Sequence, residues 1–112
     1  MAVYSVNLTI YTGTDFEQSF ILANDSDETV LNLNGYTVAS KMKRHARSLT
    51  SINLNAAIVN VITGKIKLSL SSAETSNLKT GRYYYDIVLT KNGLKDRVVE
   101  GEVFVKKAVT RS

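Results

Sequence analysis

The one histidine, His45, lies in a basic run, Lys41-Met42-Lys43-Arg44-His45-Ala46-Arg47. A hydrolytic triad or an imidazole-held metal would have to use it. Its cationic neighbours disfavour the protonated ring and supply no carboxylate to orient it, so His45 reads as a surface-loop residue. Asp25, Asp27 and Glu28 bring three hard oxygen ligands into one short stretch, which is calcium chemistry. That stretch lacks the spacing and the central glycine of a calcium loop, and a solvated turn fits it better. Asp86 interrupts an apolar run, where it faces solvent or pairs with a cation such as Arg97 across a hairpin. The chain contains no phosphate-cradling glycine motif, nucleophile elbow or paired-histidine zinc motif. The expectation is a protein with no catalytic, cofactor-binding or metal-binding residues.

Two groups remain that could touch a partner. Lys41, Lys43, Arg44 and Arg47 are candidates for contact with phosphate or an acidic protein surface. On a strand Lys41 and Lys43 share one face, so a merely solubilising face explains them equally well. Tyr83, Tyr84 and Tyr85 could stack on sugar rings or bases. Alternation sends Tyr83 and Tyr85 to the same side as Ile87 and Leu89, which makes at least part of that run core.

The elements that would position these residues are strands. Period-two alternation runs through Tyr4 to Ile10, Phe16 to Leu22, Tyr36 to Met42, Ile52 to Ile58, Ile66 to Leu70, Arg82 to Thr90 and Arg97 to Lys106. Polar or glycine-bearing turns separate the runs, including Asn24-Asp25-Ser26-Asp27 and Thr63-Gly64. Asn92-Gly93 supplies the positive φ angles of a tight hairpin joining the last two runs. Gly101 inside the final run marks a bulge or a close backbone approach. Ser71 and Glu74 have capping-box spacing, which predicts one helical turn over Ala73 to Asn77.

Leu78-Lys79-Thr80-Gly81-Arg82-Tyr83-Tyr84 reads as a corner feeding a strand. Leu78 anchors it, Gly81 turns the backbone, and either Tyr83 or Tyr84 bonds back to the turn's own backbone. Such tyrosine corners belong to immunoglobulin-like sandwiches. Together these signals predict an all-β, immunoglobulin-like antiparallel β-sandwich of about seven strands with one short helical turn. The absence of proline leaves edge protection to lysines, with Lys41, Lys43, Lys65, Lys67, Lys106 and Lys107 as candidates.

Length and composition bound the rest. A chain of 112 residues makes one domain, 1–112, with enough core to fold without staples. Cysteine is absent, so neither a disulfide nor a thiolate metal site can form. The start of the chain has no basic, apolar leader pattern, and no window approaches the about 18 apolar residues of a membrane helix. The expectation is synthesis in a cytoplasm and no membrane association. The net charge of +4 is modest and carboxylates are interspersed, so nucleic acid is not the expected partner.

Three segments carry a family resemblance: Gly13-Thr14-Asp15-Phe16-Glu17-Gln18-Ser19-Phe20-Ile21-Leu22, Leu31-Asn32-Leu33-Asn34-Gly35-Tyr36-Thr37-Val38, and Gly81-Arg82-Tyr83-Tyr84-Tyr85-Asp86-Ile87-Val88-Leu89. In this order they resemble small virion structural proteins of tailed bacteriophages, notably contractile-tailed cyanophages. They also resemble the N-terminal β-sandwich domain of phage baseplate upper proteins. The likeness runs from about Gly13 to Thr110 and carries over no catalytic residue. It implies a non-enzymatic assembly or connector module of the tail, baseplate or neck, located in the virion. Its partners would be other virion structural proteins, met in several symmetry-related copies. The chain stops at Ser112 where baseplate upper proteins continue, which suits a decoration, adaptor or connector. The alternatives are a capsid decoration protein and a host-surface carbohydrate-binding module.

Overall fold

The computed structural model describes residues 4–22, 32–45, 47–48 and 50–108. The strands are β1 (Tyr4–Ser5), β2 (Leu8–Tyr11), β3 (Phe16–Ile21), β4 (Thr37–Lys43), β5 (Ile52–Asn53), β6 (Ala57–Asn60), β7 (Lys65–Leu70), β8 (Gly81–Lys91) and β9 (Leu94–Lys106), with one helix, α1 (Ser72–Ser76). They form an all-β sandwich. A six-stranded sheet runs β1-β9-β8-β4-β5, with β2 also on β9, and faces a three-stranded sheet, β3-β7-β6.

Alternation places the core between the sheets. Tyr83, Tyr85, Ile87 and Leu89 of β8 point inward with Met42, Val103 and Val105, towards Ile66, Leu68 and Leu70 of β7. Strands β7 and β8 bury every second residue, because successive side chains leave opposite faces. The hairpin forms at Asn92 and Gly93, with φ of 53° and 78°. Among the described residues no buried side-chain nitrogen or oxygen lacks a partner.

The structure corrects the expected architecture in three places. First, the large sheet is mixed. Both β1 and β2 run parallel to β9, while the remaining pairings are antiparallel. Parallel neighbours cannot be joined by a tight turn, and here nearly the whole chain lies between them. Second, two of the seven runs are split, which gives the nine strands. The first breaks at Val6 and Asn7, and the fourth leaves the large sheet as β5 and enters the small one as β6. Third, the lysines proposed as edge guards lie elsewhere. Lys65 and Lys67 are on β7, the middle strand of the small sheet, and Lys41 and Lys43 are on β4, between β8 and β5.

The break at Val6 explains Gly101. A Cβ on Gly101 would lie 2.0 Å from the Val6 carbonyl oxygen, so this is a close backbone approach. The bulge is nearby instead. Register between β8 and β9 shifts between Ile87 and Val88, which leaves Val98 as the extra residue and buries Val98 and Val99 in succession. Across the break the Asn7 side chain substitutes for main chain, its Oδ1 accepting from the Glu102 N–H at 3.0 Å. The Tyr85 hydroxyl donates to the Val6 carbonyl at 2.7 Å.

Burial raises the Tyr85 phenol from 10.0 to about 12. The folded protein therefore holds this proton where the unfolded chain has released it. Its contribution to stability is complete below about pH 10 and declines as pH rises towards about 12. Tyr85→Phe is expected to lower the urea midpoint at neutral pH while removing this part of the alkaline decline. An alkaline limb as steep as in the parent protein would contradict that origin.

The helical turn starts one residue earlier than the sequence suggests, at Ser72, with Ser71 as N-cap and the reciprocal Ser71–Glu74 box complete. The Ser71 N–H, and then the Asn55 amide, hold the Glu74 carboxyl below its ordinary value. Asp15 accepts from the Ser72 N–H at 2.7 Å, and buried Thr75 donates to the Thr14 carbonyl at 2.7 Å. These bonds tie α1 to the turn between β2 and β3. The acidic trio Asp25, Asp27 and Glu28, and Leu31, lie outside the described residues.

Candidate interaction surface

The corner is closed by Tyr83. Its hydroxyl donates to the Lys79 carbonyl at 2.7 Å, and its ring is buried. Leu78 packs against the core from the turn, and Gly81 holds a φ of 139° that other residues rarely adopt. Tyr84 takes no part in the corner. Alternation turns it outward, 42% exposed, with the Arg82 guanidinium 5.7 Å from its ring centroid.

Arg44 belongs to the corner as well. Its Nη2 donates to the Thr80 carbonyl at 2.8 Å, and its guanidinium lies 5.1 Å from the Tyr83 ring centroid. Gly81 leaves the space, since a Cβ there would come within 3.1 Å of Arg44 Nη1. Of the four cations proposed for an anionic partner, Arg44, itself exposed, is therefore already bonded to the corner. Arg47 is exposed in the connection that follows, as is His45. Lys41 and Lys43 point outward from β4 and stand opposite Asp86 and Tyr84 of β8. The structure thus divides the basic run instead of gathering it.

A third group appears on this outer face. The hairpin register puts Lys95 opposite Thr90 and Arg97 opposite Val88. Arg97 pairs with Asp86 at 3.4 Å and with Glu100 at 3.7 Å. Lys41, Lys43, Tyr84, Asp86, Lys95 and Arg97 border a shallow groove of about 630 Å³, floored by Ala39 and Val88. Counting from Asn92-Gly93 would have found Lys95, but the sequence has no local signal that joins it to β4. Among the described residues no group of three or more His, Asp or Glu is placed to hold a metal ion. No helix among them is long and apolar enough to cross a membrane.

Tyr83→Phe is expected to cost about 1 kcal/mol for the lost hydrogen bond. Tyr84→Phe should leave the melting temperature unchanged. Equal melting temperatures for the two variants would remove the corner's role as a lock.

No known protein family and no curated protein matches the sequence. Solved structures do share the fold. The N-terminal domain of phage TP901-1 ORF48 superposes with a TM-score of 0.54 at 10% identity, over 96% of this chain and 100% of that one. Listeria monocytogenes InlP gives 0.52 at 17% identity over 93% of this chain, which spans 27% of the InlP chain. At these identities the likeness is one of fold.

Proposed function

We propose that this protein is a non-enzymatic structural module of a tailed-phage particle, acting as an assembly or connector piece of the tail, baseplate or neck. The observation that carries this reading is the end-to-end correspondence with an independent N-terminal domain of a phage protein. The segments that resemble phage virion proteins support it, since the first contains β3, the second is the turn that enters β4, and the third lies in β8. Docking onto other virion proteins would use the sheet edges. Strands β1, β2, β3, β5 and β6 border the sheets; β1 and β5 are only two residues long and β3 carries Glu17, whereas β2 and β6 contain no charged residue and no proline. Natural edges are usually blunted by those residues, and an unguarded edge invites a partner's strand. Several symmetry-related copies would repeat the contact.

The test is a mass-spectrometric inventory of gradient-purified particles of the phage that encodes the chain. The protein is expected there in a fixed ratio to a tail or baseplate component. Its absence would sink the reading, and a ratio tracking the major capsid protein would move it to head decoration.

A further inference from the structure

We infer that the outer face of the large sheet is a docking surface for an extended acidic segment of a partner polypeptide. Its cations are unevenly used. Arg97 is held by both Asp86 and Glu100, whereas Lys41, Lys43 and Lys95 have no carboxylate within ion-pair distance among the described residues. Four cations against two carboxylates leave the groove's lining net positive. An acidic partner restores balance without breaking an existing pair.

The spacing favours a polypeptide. Lys41 and Lys43 are alternate residues of one strand and lie roughly 7 Å apart along it, the repeat at which an extended chain presents alternate side chains. Small Ala39 and half-buried Val88 leave a floor on which a peptide backbone can lie, and exposed Tyr84 offers an amphipathic ring for an apolar side chain. Nucleic acid fits worse. Asp86 and Glu100 stand inside the groove and would repel a continuous phosphate chain, whereas a peptide can turn N–H groups towards them. The surface also differs from the run read in the sequence, because Arg44 leaves it and Lys95 joins it.

The test uses isotopically labelled protein at low ionic strength, with poly-L-glutamate as the probe and polyphosphate of equal charge as the comparison. Amide shifts on adding polyglutamate are expected over Ala39–Lys43, Tyr84–Thr90 and Lys95–Glu100. Lys41→Glu with Lys43→Glu should weaken binding by about tenfold or more, because like charges then face each other. Tyr84→Ala, with both lysines kept, should weaken it less. These side chains lie on the outer face, and an unchanged spectrum elsewhere certifies the variants as folded. Absent shifts, shifts centred on Arg47 or Lys107, or tighter binding of polyphosphate would each overturn the docking surface. The surface presupposes the particle role, and the two fail separately. Absence from particles removes that role whatever polyglutamate does, while a particle-borne protein indifferent to polyglutamate removes only this face.

Discussion

Gly101→Ala is expected to destabilise the protein by about 3 kcal/mol, the upper end of the cost of forcing extra volume into packed structure. The single added carbon would sit 2.0 Å from the Val6 carbonyl oxygen and 2.7 Å from its carbon. A flexible side chain could swing away from such a clash, but this neighbour is main chain and is fixed twice over. The Val6 N–H donates to the Glu100 carbonyl at 2.9 Å, and its carbonyl receives the Tyr85 hydroxyl. Relief therefore requires β1 to leave β9. Two readouts follow, a lower urea midpoint and lost exchange protection at the Val6 amide. Gly93→Asn is the control, because nothing lies within 4 Å of a Cβ there and asparagine tolerates its φ of 78°. It should cost about 1 kcal/mol or less, from the positive φ alone. A parent-like midpoint for Gly101→Ala would refute the close approach.

The consequence reaches the proposed role. Strand β1 borders the large sheet, so the contacts that hold Val6 also decide whether an ordered edge is available to a partner. An apolar recess of about 260 Å³ lies beside it, lined by Tyr4, Val6, Phe20, Ile21, Leu22 and Val99. A Gly101→Ala protein that folds but frays at β1 should lose edge docking while keeping the β4–β8–β9 face. The two modes of attachment can then be separated in one variant.

What the sequence made legible was local. Period two located every run that became strand, because a half-buried sheet face has no other pattern. Asn92-Gly93 and Ser71-Glu74 announced the hairpin and the cap, because both depend on neighbouring backbone groups. Tyr83 was placed within one residue, and its inward face was already implied by Ile87 and Leu89. The remainder depends on which distant strands meet. The parallel pairing of β1 and β2 with β9 leaves no trace in either segment. The placement of Arg44 over Tyr83 joins the end of one strand to the start of another, and only the β4–β8 register brings them together. The same register sets Lys41 and Lys43 along the outer-face groove and Arg44 over the corner. One signal was present but easily missed. Asn53 and Asn55 flank Leu54 where the run changes sheets, and asparagine is the residue that turns its own backbone. The Asn53 side chain accepts from the Asn55 N–H at 2.8 Å, and Asn55 takes a φ of 53°.

That turn makes Leu54→Ala the second large effect, expected at about 3 kcal/mol. Leu54 lies between the two strands of its own run, and its main chain bridges the sheets. Its N–H donates to the Ser40 carbonyl of β4 at 3.0 Å, and its carbonyl accepts from the Ser69 N–H of β7 at 3.0 Å. Its side chain is fully enclosed. Truncation leaves both bonds possible but empties the space that keeps them apart from water, so the cost is that of a cavity where the sheets join. Asn55→Gly should be milder, since glycine adopts the same positive φ and the losses are the bonds from the Asn55 amide to the Ser69 carbonyl and to the Glu74 carboxylate. Equilibrium unfolding of the two variants decides the matter. A loss below about 1 kcal/mol for Leu54→Ala would mean that the sheets are held chiefly elsewhere. A large loss for both would place the lock in the turn itself and not in the buried side chain.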